Sequence, residues 1–167
     1  MAMIVFVTAG CVAVPRPVSE LDLNRYQGTW FEVARMPNRF QKSCVKHAVA
    51  RYQRLDSGRL SVKNQCETAK GKQKMAQGIA RQPDPNEPGK LEVSFFRVFG
   101  LRPIWGEYWV LAIDADYTVA VVGDAKKKYA WVLSRTPTMS EARMQEAIGV
   151  LDRNGYDTNA IIKRSIP

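Results

Sequence analysis

Histidine and cysteine are scarce in this sequence. Its 167 residues include one histidine, His47, and three cysteines. No apolar run approaches the roughly 18–20 residues that a membrane-spanning helix needs. Because the single histidine falls on the outward side of its predicted strand, neither a Ser/His/Asp triad nor a histidine-rich metal site is available. We therefore expect no catalytic residue, no metal and no cofactor.

The charge balance is strongly positive. Lysine and arginine number 25 against 16 aspartates and glutamates, a formal net charge of +9. Such an excess favours an anionic partner, which can be nucleic acid, a membrane surface or an acidic ligand. The sequence has no zinc-finger, glycine-rich phosphate-loop or RNA-binding aromatic motif, so we expect no nucleic-acid partner. Hydrophobic residues, 46% of the total, suffice for the core of one domain.

Short runs typical of β-strands follow one another between residues 28 and 134, with no long helix among them. The first run opens on Gly28-Thr29-Trp30, and the last closes on Ser134-Arg135-Thr136. Asp116-Tyr117 lies between them. These three ordered motifs resemble those of the lipocalin family, and the resemblance covers roughly residues 20–164. Residues 30–40 and 133–137 are similar, more narrowly, to bacterial lipocalins of the outer-membrane lipoprotein type.

The resemblance implies an all-β fold, an eight-stranded antiparallel up-and-down lipocalin β-barrel with one C-terminal α-helix packed on the outside. In a barrel the first and last strands are neighbours, which would place the guanidinium of Arg135 on the indole of Trp30 as a cation–π pair that closes one end. The structural residues that the resemblance implies are Gly28, Trp30, Asp116, Tyr117, Arg135 and Thr136.

The C-terminal helix has its own signals. Thr138 and Glu141 form a capping box, and Asn154-Gly155 ends the helical pattern. An apolar stripe is expected to pack against the outward residues of a strand. The stripe is Met144, Ala147, Ile148 and Leu151, and the outward residues include Trp109, Leu111 and Ile113. Residues 160–162 predict a short closing strand.

Three segments make up the chain in this interpretation. Residues 1–10 are a short lipoprotein signal segment, residues 11–20 a membrane tether, and residues 21–167 the barrel with its helix and last strand. The apolar stretch that ends at Cys11 resembles the tail of a lipoprotein signal peptide, which implies lipidation of Cys11 and a place on the periplasmic face of the bacterial outer membrane. The alternative is an ordinary cysteine in a disordered N-terminus.

Alternation along the strands, with Trp30 taken as inward, predicts the lining of the barrel. Phe40 is added because the family folds this loop over the mouth. The predicted ligand-binding residues are Ala34, Met36, Phe40, Ala50, Tyr52, Val62, Ala76, Gly78, Val93, Phe95, Tyr108, Val110, Tyr129 and Trp131.

Many of the inward residues are alanine or glycine, which favours a cavity over a barrel filled by its own side chains. A fatty acid or lysophospholipid suits such a cavity, because each buried CH₂ contributes roughly 0.8 kcal/mol. The alternatives are another small hydrophobe, a sterol-like or aromatic molecule, and a filled barrel. The oligomeric state stays open.

Cys44 and Cys66 face the same side of their strands. An oxidising periplasm favours a disulfide between them, although a regular hairpin would not place them opposite each other, so a bulge is required. The competing interpretation is a free thiolate at the mouth, as in an isomerase-type lipocalin, with no base beside it. Glu32, the acidic residue of the first strand's inward set, either meets a ligand's polar end or pairs with a Lys, Arg or Tyr of a neighbouring strand.

Basic residues concentrate in alternate loops, which lie at one end of an up-and-down barrel. They are Arg39, Lys42, Lys70 to Lys74, Arg97, Arg102 and Lys126 to Lys128, whereas Asp56, Asp84, Glu87, Asp114 and Asp116 fall at the other end. We expect the basic rim to meet anionic lipid head groups or a membrane surface.

Overall fold

Residues 14–164 are described here from a computed structural model, in which strands dominate. A short helix α1 (Leu23–Tyr26) precedes the strands and α2 (Glu141–Arg153) follows the eighth of them. A 3-10 turn at Thr158–Ala160 then leads to the last strand. The strands are β1 (Gly28–Arg35), β2 (Cys44–Arg54), β3 (Leu60–Thr68), β4 (Gln73–Arg81), β5 (Lys90–Ser94), β6 (Gly106–Ile113), β7 (Val119–Gly123), β8 (Ala130–Ser134) and β9 (Ile162–Lys163).

The first eight strands close into an antiparallel barrel. Each strand from β2 to β7 pairs with the next along the chain, and β1 pairs with both β8 and β2. β9 pairs with β1 at Ala34 and Arg35, beyond the residues of β1 that pair with β2. The predicted eight-stranded barrel with an outer C-terminal helix is confirmed.

A β-bulge in β1 reverses the side that its last residues face. The register shifts between Glu32 and Ala34, so that Val33 and Ala34 both pack with the residues under α2 while Arg35 turns in beside Glu32. Met36 packs in the same outer cluster. The prediction that Ala34 and Met36 line the interior is therefore wrong, because an extra residue in a strand moves every later side chain to the other face.

Strands β6 and β7 depart from the predicted alternation for related reasons. A bulge between Val110 and Ala112 places Ala112 outside and turns Ile113 into the interior cluster. In β7, Ala120 and Val122 face inward, whereas Val119 and Val121 pack with the residues under α2. This strand is apolar on both faces, so its sequence contained no signal for which side is which.

The end of the barrel near Trp30 is closed. The guanidinium carbon of Arg135 lies 3.8 Å from the centre of the Trp30 ring, and the indole N–H donates to the carbonyl of Tyr26 at 2.8 Å. Gly28 has φ of +105°, and a Cβ there would come within 3.0 Å of Arg135. The glycine of the first motif therefore leaves room for the arginine of the third, and the predicted cation–π pair is confirmed.

The second and third motifs support this closed end. The carbonyl of Tyr117 accepts from Arg135 Nε at 3.1 Å, and its hydroxyl accepts from the backbone N–H of Asp22 at 2.9 Å. Asp116 lies at the tip of the turn between β6 and β7, where Asp114 supplies the hydrogen bonds to residues 118 and 119. Thr136 bonds to the hydroxyl of Ser134 and donates to the carbonyl of Thr138.

Helix α2 packs its apolar stripe against the outside of β6, β7 and β8. Met144, Ala147 and Leu151 are buried there with Leu111. Ser140 and not Thr138 is the N-cap, since its hydroxyl accepts from the backbone N–H of residue 143 at 3.4 Å. The helix ends at Asn154-Gly155 as expected.

Candidate ligand-binding site

The interior of the barrel holds a cavity of about 810 Å³. The end opposite the Trp30–Arg135 plug is its mouth, where the loops β1–β2, β3–β4, β5–β6 and β7–β8 lie. A volume of this size is in the range of small-molecule pockets, roughly 300–1,000 Å³. Ten of the predicted residues line the cavity: Phe40, Ala50, Tyr52, Val62, Ala76, Val93, Phe95, Tyr108, Tyr129 and Trp131.

Alanines and aromatic rings form different parts of its wall. Ala48, Ala50 and Ala76 leave space along β2 and β4. Tyr129 stacks on Trp131, with ring centres 6.1 Å apart, and the mouth residue Phe40 lies 5.6 Å from Tyr129. The wall is therefore largely apolar, with flat surfaces near the mouth against which a hydrocarbon can pack.

Two predicted lining residues lie inside the barrel but away from the cavity surface. A Cβ on Gly78 would fall 2.8 Å from the ring of Phe95 and 2.7 Å from the carbonyl oxygen of Ser94. The glycine therefore lets the Phe95 ring pack over β4. The Phe95 ring, and not Gly78, faces the cavity at this position. Val110 is fully buried in the apolar cluster around Trp30 and does not reach the cavity.

Several lining residues come from outside the regular strands. Tyr26 belongs to α1, before the barrel begins, and Gln41 to the mouth loop after β1. Phe96, Ile104 and Trp105 belong to the loop between β5 and β6. Strand alternation gives no position for such residues, although the aromatic content of residues 95–105 was a visible signal.

Three tyrosines meet through their hydroxyl groups at the deep side of the cavity. The oxygen of Tyr108 lies 2.7 Å from that of Tyr26 and 2.9 Å from that of Tyr52. Burial is the main reason that the pKa of Tyr52 is raised to about 12. It is also the main reason that the pKa values of Tyr26 and Tyr108 lie well above the usual 10. All three are therefore neutral near pH 7. Among the described cavity residues, apart from ion-paired groups, one buried side-chain polar atom has no hydrogen-bond partner, Oδ1 of Asn64.

An ion cluster lies in the wall at the inner side of the mouth loop. Glu32 Oε1 is 3.0 Å from Arg35 Nε and 2.8 Å from Arg164 Nε, and each of the three side chains is less than a tenth exposed. Gln41 donates to the other carboxylate oxygen and accepts from the Trp131 indole N–H at 2.8 Å. Burial raises the pKa of Glu32, although Arg164, Gln41 and Arg35 oppose the shift. Glu32 thus pairs with arginines, as expected, but one is on its own strand and one directly follows β9.

Comparison with known proteins identifies the family. A family model described as a lipocalin-like domain matches residues 21–165. The chain belongs to the lipocalin family. This lipocalin is 35% identical over 158 residues to the outer membrane lipoprotein Blc of Vibrio cholerae, an alignment that covers 92% of the chain and 89% of that protein.

More distant relatives share the same fold. The lipocalin is 30% identical over 149 residues to apolipoprotein D of Mus musculus, with 84% of the chain and 75% of that protein covered. Its structure matches insecticyanin from the tobacco hornworm Manduca sexta with a TM-score of 0.71 at 25% identity, covering 90% of this chain and 84% of that one. These relationships support binding and transport of a small hydrophobic ligand.

The lipocalin contains the expected disulfide between Cys44 and Cys66, whose Cα atoms are 5.5 Å apart. The pairing of β2 with β3 shifts register twice between Cys44 and Val49, which supplies the bulge that the sequence required. His47 lies in this irregular segment with φ of +50° and is exposed. Because both sulfurs are in the bond, the free-thiolate interpretation is wrong for this oxidised state.

A thiol count tests the disulfide. The Cys11→Ser variant, unfolded in denaturant, is expected to show no reactive thiol before reduction and two after it, because Cys44 and Cys66 are then the remaining cysteines. Closing a loop of 22 residues also stabilises the fold by roughly 3 kcal/mol in the chain-entropy model. Two thiols in the unreduced, denatured protein would show that the bond does not form.

Proposed function

We propose that this lipocalin binds and carries a fatty acid or lysophospholipid at the bacterial outer membrane. The apolar cavity of about 810 Å³, open at the mouth and closed by Trp30, is the observation that supports the proposal most directly. About ten buried methylenes contribute roughly 8 kcal/mol. That gain can exceed the cost of association, which begins at about 4 kcal/mol.

The shape of the wall favours a flexible chain over a rigid ring system. Small residues on β2 and β4 leave a continuous space beside the rings of Tyr129 and Trp131, and among the described residues seven strands and three mouth loops contribute to its lining. A carboxylate or phosphate head at the mouth would meet the basic residues of the surrounding loops. The head group therefore stays at the entrance in this proposal, and the acyl chain enters the barrel.

The proposed membrane anchor is a lipid on Cys11, which lies outside the described residues. The proposed anchor is supported by the similarity of the chain to relatives named outer membrane lipoprotein. Described residues of the predicted tether, residues 11–20, contact the rest of the protein. Arg16 donates from its backbone to Asn154 at 2.7 Å, and Val18 from its backbone to the carbonyl of Val110 at 2.8 Å. Pro15 is buried as well.

Among the residues that the structure describes, no helix combines the length and the apolar character needed to cross a membrane. Native mass spectrometry of the protein purified from its own host tests the proposed anchor. It is expected to show a mass that corresponds to a chain beginning at a lipidated Cys11. An intact, unmodified N-terminus would contradict the anchor and leave the carrier proposal standing.

Palmitate titration tests the carrier function. We expect saturation at about one ligand per chain, as a single cavity requires, with a change in tryptophan emission because Trp105 and Trp131 line it. Ala50→Trp should lower the affinity at least tenfold, since it places a large ring in the cavity. Arg51→Trp is the matched control, because the neighbouring side chain is exposed on the outer face of β2. Equal affinity in both variants, or no retained lipid in the natural protein, would contradict the proposal.

A further inference from the structure

The loop between β5 and β6 forms a hairpin with an unusually apolar surface. Residues 95–105, called the mouth hairpin here, read Phe-Phe-Arg-Val-Phe-Gly-Leu-Arg-Pro-Ile-Trp. Its large apolar side chains include Phe99, which is fully exposed, Leu101 at 72%, Ile104 at 61% and Phe96 at 50%. Isolated exposed apolar residues are ordinary in soluble proteins, but a contiguous group on one projecting element marks an interaction surface.

The turn at the tip holds this surface outward. Val98 and Leu101 exchange two backbone hydrogen bonds of 2.9 and 2.8 Å, and the residues between them, Phe99 and Gly100, have φ of +46° and +83°. Such a two-residue turn favours asparagine or glycine at its first position, and a phenylalanine there is uncommon. The chain thus keeps a large aromatic ring where backbone conformation disfavours it and where water contact is greatest.

The base of the mouth hairpin is fixed to the barrel. Arg102 donates to the carbonyl of Ser94 at 2.8 Å, so this predicted rim residue turns toward the outer face of β4 instead of the entrance. The Arg81 guanidinium lies 3.9 Å from the centre of the Trp105 ring and pairs with Glu92 at 2.8 Å. The apolar tip therefore projects from an anchored base and does not fold back into the cavity.

The loops at the mouth are basic, which favours an anionic partner. The four mouth loops, residues 36–43, 69–72, 95–105 and 124–129, contain nine lysines and arginines and one acidic residue, Asp124. The opposite loops between strands contain Asp56, Asp84, Glu87, Asp114 and Asp116. An apolar finger within a basic rim matches an anionic bilayer, which offers hydrocarbon beneath negative head groups.

Arg16, near the start of the described residues, also lies toward the mouth. Arg16 contacts Asn154 at the end of α2, and the hydroxyl of Tyr156, two residues later, donates at 2.7 Å to the carbonyl of Asp124 in the β7–β8 loop. The helix begins at the closed end, where Arg143 pairs with Asp114 at 2.8 Å. A lipid on Cys11, five residues before Arg16, would therefore attach the barrel by its mouth side.

We infer that the mouth hairpin inserts into an anionic lipid bilayer, with Phe99 and Leu101 among the hydrocarbon chains, and that it places the cavity entrance on the membrane surface. This docking deepens the proposed carrier function and rests on it for its purpose. A ligand could then pass between bilayer and cavity without crossing water. The basic loops hold the head-group layer around the entrance.

Vesicle binding of the full chain with Cys11→Ser tests the inference without the lipid anchor. Phe99→Asn/Leu101→Ser is expected to weaken binding to phosphatidylglycerol vesicles at least tenfold. Asparagine suits the left-handed turn, so the variant keeps the hairpin. Val45→Ser/Ile162→Ser is the matched control, since both residues are large, apolar and exposed outside the hairpin. It should bind within about twofold of the parent, and all variants should bind phosphatidylcholine vesicles weakly.

Depth of insertion gives an independent measurement. In Phe99→Trp, vesicles with bromine on the acyl chains should quench emission more strongly than in Val45→Trp. Unchanged vesicle binding in the hairpin variant, or absence of extra quenching at position 99, would overturn the inference. So would a dimer that dissociates on Phe99→Asn/Leu101→Ser without any vesicle binding, because the hairpin would then be a contact between copies. Palmitate binding in solution should be equal in parent and hairpin variant, and its failure in both would reject the carrier function alone.

Discussion

Glu32→Ala is expected to lower the free energy of unfolding by about 3–5 kcal/mol, because it leaves two buried guanidinium groups without their counter-charge. Arg35 and Arg164 both contact this carboxylate, and neither side chain is more than a tenth exposed. The mouth loop should loosen as well, since Gln41 loses its acceptor. Chemical denaturation at neutral pH measures the first effect, and proteolysis near residue 41 the second.

The net contribution of the whole cluster to the free energy of unfolding should be much smaller than the loss caused by removing one of its members. Burial is the largest influence on the pKa of Glu32 and raises it, so desolvation outweighs the attraction of the two arginines. Glu32→Met/Arg35→Leu/Arg164→Leu is therefore expected to unfold within about 1–2 kcal/mol of the natural protein, as in other buried clusters replaced by apolar residues. A triple variant less stable than Glu32→Ala would show that the cluster itself stabilises the barrel.

Arg135→Ala is expected to cost about 3 kcal/mol, because one guanidinium serves both the Trp30 ring and the backbone around it. It donates to five carbonyl groups, those of Arg25, Tyr26, Gln27, Thr29 and Tyr117. Thermal and chemical unfolding measure the loss. Arg135→Lys should recover only a small part, since an ammonium cannot direct as many donors at fixed angles.

Ligand affinity separates this structural role from a binding role. Arg135 lies beyond Trp30, outside the residues that line the cavity. At a temperature where both proteins are folded, palmitate affinity should therefore be within about threefold of the natural value. A variant that kept its stability and lost its ligand would overturn the assignment of Arg135 to the plug.

The barrel was predictable because the three ordered motifs of the chain resemble those of the lipocalin family. Gly28, Trp30 and Arg135 form one interlocking contact, so their order and separation identify the first and last strands. In β2, β3 and β4 the inward residues at Ala50, Val62 and Ala76 follow simple alternation, and all three lie at the cavity wall.

Alternation failed where one extra residue enters a strand. The bulge after Glu32 moved Ala34 and Met36 outside, and nothing in a run of apolar residues marks such an insertion. Arg164 could not be paired with Glu32 beforehand, because 132 positions separate them and β9 has two residues. The exposure of Phe99 was equally hidden, since an aromatic residue in a strand-like sequence is normally assigned to a core.

The tyrosine group at the depth of the cavity has a consequence for selectivity among ligands. Three hydroxyl protons serve two oxygen–oxygen contacts, so one proton is always left over. The direction of donation along the row can reverse, which moves the spare proton from Tyr26 to Tyr52 and back. A hydrocarbon tail that ends in a methyl group leaves that hydroxyl without an acceptor, at a cost of about 1–3 kcal/mol. A tail that ends in a neutral oxygen accepts a hydrogen bond from it. A barrel with an apolar wall can thus distinguish, at the closed end of its cavity, a tail that ends in oxygen from one that ends in a methyl group.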